Sequence, residues 1–137
     1  MTRLNQLLVE LQTDEPTQSI NLKAQKIDDL RVSSLCRALL GNSTVTSLQL
    51  AQNDIAAAGA TTLAQLLKKN YVPLYELVLM RNRFCDSVFL PLRFSFECVR
   101  FFSIGSPGAE ELALMLRSNT TLAKLNVGLN NIGDQGA

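Results

Sequence analysis

One motif, written repeatedly at fixed spacing, constrains this chain more than any other feature. The stretch Leu48-x-Leu50-x-x-Asn53-x-Ile55-x-x-x-Gly59-Ala60-x-x-Leu63-Ala64-x-x-Leu67-x-x-Asn70 starts again at Leu77-x-Leu79-x-x-Asn82 and then breaks off. It resumes as Ile104, with Gly108-Ala109-x-x-Leu112-Ala113-x-x-Leu116-x-x-Asn119 following in order. Ile20, Leu48, Leu77 and Leu125 share one position, and Leu22, Leu50, Leu79 and Val127 share the position two residues later. The successive spacings are 28, 29 and 48 residues, the last being a 28-residue period with 20 residues in excess. A unit of this length cannot bury its apolar face alone, so it must stack on its neighbours to make a continuous core.

Each part of the motif has a physical reason. Alternation in Leu48-Gln49-Leu50 turns the leucines inward and Ser47, Gln49 and Ala51 outward. An asparagine just after the strand can both donate to and accept from backbone groups left unpaired by the turn. Asn53, Asn82 and Asn130 are therefore expected to form a ladder between units, with Gln25 as an imperfect substitute. Gly59, Gly108 and Gly136 stand where the chain enters its helix, where backbones approach closely, whereas Arg31 takes that place in the first unit. Leu63, Leu66 and Leu67, and again Leu112, Met115 and Leu116, recur at helical spacing and are expected to pack on the strands. Ser106-Pro107 reads as a helix cap followed by proline at the first helical position, with Glu110 and Glu111 in the first turn.

The pattern resembles a leucine-rich repeat, and its 28- and 29-residue periods resemble the ribonuclease-inhibitor-like subclass, in which each strand is followed by a full helix. The resemblance implies an α/β solenoid, a short arc of a horseshoe with parallel strands on the concave face and helices on the convex face. Residues 1–137 read as one array. Residues 4–11 match the helix of a unit, and Gly136-Ala137 falls where a further helix would begin. Neither end shows a polar cap, so the expectation is a partial array, a piece of a longer protein or a truncated gene model, with possible self-association through uncapped ends.

The excess falls at residues 84–103, which hold all six phenylalanines and two of the three cysteines. Removing them rejoins Asn82-Arg83 to Ile104-Gly105 in register. Their Phe, Cys, Val and Leu codons are rich in pyrimidine. Suitable codons at Arg83 and Ser103 would place splice signals at the two junctions, and their removal would keep the reading frame. The expectation is a retained short intron. The alternative is a real inserted loop, partly a hairpin pairing 88–90 with 94–96, functional as long loops often are.

Composition narrows the function. A net charge of +1 without a run of basic residues gives no footprint for nucleic acid or an anionic membrane. No stretch is long and apolar enough to span a bilayer, and three cysteines at unrelated spacings do not make a secreted disulfide framework, which points to the cytoplasm. Cys36 takes a small apolar helix position shared with Ala64 and Ala113 and reads as a buried thiol. The absence of histidine removes histidine-based nucleophile pairs and metal sites from this chain. Cys85 and Cys98 lack companion ligands. Asp28-Asp29 reads as a pair of helix-start carboxylates. No catalytic residue, cofactor or metal site is expected.

Function then rests on binding. The resemblance implies a protein-interaction module whose partner, of unknown identity, docks on the concave strand face. The candidate contacts are Gln49, Gln52, Glu76, Val78, Met80, Arg81, Lys124, Asn126 and Leu129, with Val78, Met80 and Leu129 as apolar anchors. Charge steering across so mixed a face should be weak. Such repeats occur in cytosolic inhibitors, in the sensor region of NACHT-type receptors and in activators of the Ran GTPase. The Ala56-Ala57-Ala58 helix start and the scarcity of cysteine suit the receptor-like setting. The alternatives are an inactive repeat fragment and the GTPase activator, whose assisting loop residue is matched by none here; a stimulated GTPase rate lost on altering Arg81 or Arg83 would support it.

Overall fold

The computed structural model describes residues 2–11, 17–82 and 104–133. The inserted residues 84–103 and the Gly136 position lie outside them. Helix α1 (Arg3–Glu10) is followed by three strand–helix units, β1 (Ser19–Asn21) with α2 (Asp29–Leu39), β2 (Ser47–Gln49) with α3 (Ala57–Lys68), and β3 (Glu76–Val78) with α4 (Gly105–Leu116). Strand β4 (Lys124–Asn126) completes the order. The four strands pair in parallel as β1-β2-β3-β4. Parallel neighbours require a crossover, and here a helix lies between each pair of successive strands, α2, α3 and α4 packing in series.

The register follows the repeat. Ile20 pairs with Leu48, Leu48 with Leu77, and Leu77 with Leu125, so the 48-residue spacing closes onto the same ladder as the shorter ones. Pairing continues past the three-residue strands. The amides of Leu22, Leu50 and Leu79 donate to the carbonyls of Gln49, Val78 and Asn126 at 2.8–2.9 Å, one repeat on in each case. Beneath the sheet Leu48, Leu50, Ile55, Leu77 and Leu79 are fully enclosed, whereas Leu125 of the last strand is only partly buried. Ile104 fills the place of Ile55 and is equally buried, although 20 extra residues precede it. Burying a large aliphatic side chain contributes roughly 1.5–3 kcal/mol, so the stacked columns are the main source of stability.

Close approach decides the glycine positions. A Cβ on Gly59 would collide with the Asp29 carboxylate and lie 2.8 Å from Ile55 Cγ2. One on Gly108 would lie 2.7 Å from Ile104 Cγ2 and 3.1 Å from Ala60 Cβ. At the equivalent place Arg31 instead donates through its guanidinium to the Lys26 carbonyl at 2.6 Å.

Three expectations are overturned by the structure. Ala51 is 3% exposed rather than outward and open; its methyl stands in register between Lys23 and Met80 and is too short to clear these longer neighbours. Leu116 is 45% exposed although Leu67, at the same repeat position, is fully buried. The unit of α4 stacks beyond α3, whereas no helix among the described residues follows α4. Ser106 does not cap its helix: α4 begins at Gly105, so Glu110 and Glu111 lie beyond its first turn. The Ser106 hydroxyl donates at 2.6 Å to the Ile132 carbonyl of the next unit. Gln25 substitutes for the asparagine only in part: its exposed side chain donates at 3.3 Å to Lys23 O, the bond that Asn53 and Asn130 make to Ala51 O and Gly128 O, but joins no second unit among the described residues. No helix among the described residues is long and apolar enough to cross a membrane.

Candidate functional site

Parallel register turns the sequence list of outward positions into rows across the strand face. Ser19, Ser47, Glu76 and Lys124 form the first row, and Asn21, Gln49, Val78 and Asn126 the second. Beyond the strands, Lys23, Ala51, Met80 and Gly128 occupy a third repeat position and Ala24, Gln52, Arg81 and Leu129 a fourth. Strands lie about 4.8 Å apart, so each row presents its side chains at that interval. None of the nine candidate contacts is buried. Glu76 and Lys124 are neighbours in one row, Gln49, Val78 and Asn126 in the next, and Gln52, Arg81 and Leu129 in the last.

Local contacts hold several of them. Ser47 Oγ donates to Glu76 Oε2 at 3.0 Å. The Lys124 ammonium sits 5.5 Å from the centroid of the Tyr75 ring. Asn126 Oδ1 accepts from the Gly128 amide at 3.1 Å, and its Nδ2 lies 3.9 Å from Met80 Sδ. Val78 and Met80 are half-buried between these polar groups, and Leu129 is 63% exposed at the strand-exit edge.

The fourth row has an unforeseen backbone. Ala24, Gln52, Arg81 and Leu129 all adopt left-handed φ between 55° and 58°. This conformation costs a non-glycine residue roughly 1–2 kcal/mol. It is held because the amides of Ala24, Gln52 and Arg81 donate to Ala51 O, Met80 O and Gly128 O at 2.9–3.0 Å. The next residue in three of the four units is a buried asparagine bonded on both sides. Asn53 Oδ1 accepts from the amides of Gln25 and Ile27, and its Nδ2 donates to Leu22 O and Leu50 O. Asn82 Nδ2 donates to Leu50 O and Leu79 O, and Asn130 Nδ2 to Leu79 O and Val127 O.

Comparison with known proteins agrees with this architecture. A leucine-rich repeat family profile matches residues 41–64 and 118–137, on either side of the interrupted unit. The solved structure of the leiomodin-1 actin-binding site 2 superposes with a TM-score of 0.64 at 23% identity, covering 90% of this chain. The chain spans 60% of the length of that neighbour. Among curated proteins, none matches this sequence. The chain folds as a leucine-rich repeat solenoid.

The helix side of the solenoid carries a feature that the sequence reading missed. Between α2 and α3 lies a groove of about 480 Å³. Its floor includes Cys36 and Leu66, and its rim carries Arg37, Lys68, Lys69 and Tyr71. Burial pushes the Cys36 thiol up to about 12, so at neutral pH it is a small apolar group. The groove arises from side-chain size. At the repeat positions where α2 has Val32 and Cys36, α3 has Ala60 and Ala64, and α4 comes close enough for Gly108 to approach Ala57 and Ala60. The signal in the sequence was the Lys68-Lys69 pair beside an apolar Tyr71, yet Arg37 joins them only through stacking.

The repeats also bond through a residue that looked purely local. Asp28 caps α2 by accepting from the Arg31 amide at 2.9 Å. Asp29 instead accepts from the Ala56 amide of the next repeat at 2.8 Å, supplying α3 with a partner that its own N-cap residue lacks. That contact is also why Gly59 tolerates no side chain.

Proposed function

We propose that the repeat array is a non-catalytic protein-binding module of the ribonuclease-inhibitor-like kind, and that its concave strand face is the binding surface. The observation that supports this most directly is the placement of Val78 and Met80 on the central strand β3 and the turn after it. They are flanked by polar groups that their neighbours already hold in place, namely Glu76, Lys124 and Asn126. An apolar centre ringed by positioned polar side chains is how protein interfaces concentrate binding energy. A rigid sheet adds to this, because little side-chain or backbone ordering remains to oppose association. The name of the leiomodin-1 neighbour assigns actin binding to that protein; at 23% identity the likeness speaks for the fold, and actin is not carried over.

The test uses binders selected from a displayed random-peptide library against the whole chain. Their affinity should fall about thirtyfold in Val78→Glu/Met80→Glu, the loss expected when central anchors worth about 2 kcal/mol are removed. Salt should change it only modestly, because the face carries both signs of charge. Binders indifferent to these substitutions, or with affinities that collapse in salt, would remove the strand face as the docking surface.

A further inference from the structure

The groove between α2 and α3 lies on the opposite side of the solenoid from the strand face, so its role is independent of the reading above. Its apolar lining runs from Cys36 and Leu66, 5% and 8% exposed at the floor, to Leu40, 55% exposed at the edge. Tyr71 stands at the rim and is 59% exposed. The unit from Leu48 to Leu77 is one residue longer than its predecessor, and the excess falls between Asn70 and Leu77, in the turn that begins with Tyr71. The volume, about 480 Å³, is within the range of roughly 300–1,000 Å³ that holds side chains of a bound ligand.

Charge selects the occupant. Arg37, Lys68 and Lys69 line the groove, and no carboxylate is among its described lining residues. The Lys69 ammonium lies 5.9 Å from the Tyr71 ring centroid, so this cation is already drawn over the rim. The nearest acidic pair in sequence, Asp28 and Asp29, sits at the far end of α2 and is engaged with backbone amides. Cations at helix C-termini complement the helix dipole and need no ligand for that. Dipole complementation does not account for an open apolar trough between them.

We propose that this groove docks an acidic amphipathic peptide segment of a partner protein. The segment seats apolar side chains over Cys36 and Leu66 while its carboxylates meet Arg37, Lys68 and Lys69. Laying the apolar face of a helix or turn into a trough is a recurring recognition mode, with anchors three or four residues apart. A lipid surface fits less well, since three cations are fewer than the four to eight of a typical anionic-lipid patch and the trough is concave.

The chain contains no tryptophan, so Tyr71→Trp gives a reporter at the rim without background. The probe is a synthetic helical peptide with leucines at i and i+4 flanked by glutamates. Its binding to the full-length Tyr71→Trp chain should shift the emission to the blue and saturate. Adding Lys68→Glu/Lys69→Glu, both at exposed positions, should weaken binding roughly tenfold, as two exposed ion pairs would. A glutamine version of the peptide should lose a similar factor, and Val78→Glu/Met80→Glu should leave binding within about twofold. Equal binding of the glutamine peptide, equal binding to the charge-reversed variant, or no saturable shift would each overturn the proposal. Phosphatidylserine vesicles giving the same shift would overturn it too, by assigning the groove to a lipid surface.

Discussion

Asparagines stand at both edges of the solenoid, and the two sets behave differently. At the strand-exit edge Asn53, Asn82 and Asn130 are buried, and each joins backbone groups of two units. At the helix-exit edge Asn42, Asn70 and Asn119 recur with the same period but are partly or fully exposed. Asn42 accepts from the amides of Thr44 and Val45 and from the Thr44 hydroxyl, all in its own turn. Asn119 accepts from Thr121 and Leu122 and reaches back to Leu67 O at 2.8 Å. Asn70 departs furthest: with φ of 53° it bonds the Ser118 carbonyl and Thr120 amide of the next unit. The extra residue of its 29-residue period follows it, so the local turn that Asn42 closes is not available there. Water can replace a side-chain partner at an exposed edge and cannot at a buried one. Coupling between units is therefore concentrated where the strands end.

That contrast can be broken by truncation. Asn53→Ala removes the acceptor of two amides and the donor to three buried carbonyls, and should cost about 3 kcal/mol in urea unfolding of the whole chain. Asn53→Asp, which keeps the acceptor but faces carbonyls with a charge, should cost at least as much. A loss under about 1 kcal/mol would mean that the column contributes no more than surface contacts do. Asn119→Ala should cost about 1–2 kcal/mol, with amide exchange accelerating first at Leu122, whose 2.7 Å bond it removes. A uniform acceleration across the array would place this asparagine with the buried set instead. Asn70→Gly should fall within about 0.5 kcal/mol of the parent, because glycine accepts the left-handed backbone and water takes over the lost side-chain bonds. A larger loss would show that the exposed bonds from Asn70 to the next unit couple the units as strongly as the buried ones do.

The strand-exit column was readable because one residue type recurs at one place, and only an amide both donates and accepts there. The helix-exit column recurs as clearly, yet its bonds could not be assigned: whether such a residue serves its own turn or the next unit depends on loop length and stacking. Of the nine candidate contacts, period-two alternation explains why Gln49, Glu76, Val78, Lys124 and Asn126 stay unburied. It does not foresee the left-handed row of Gln52, Arg81 and Leu129, since none of these residue types favours that conformation. Asp29 shows the same limit. Its partner, Ala56, is 27 residues away and becomes a neighbour only when units stack.

The sequence by itself determined the solenoid, its strand register and its buried columns, because residues one repeat apart meet in an identical environment. Only the tertiary structure decided which equivalent positions differ. Leu67 is enclosed and Leu116 is not, Ser106 bonds the next unit rather than its own helix, and Ala51 is covered by its neighbours. A chain with no run of basic residues gathers Arg37, Lys68 and Lys69 on one groove, because stacking adds lateral neighbours that linear spacing does not encode.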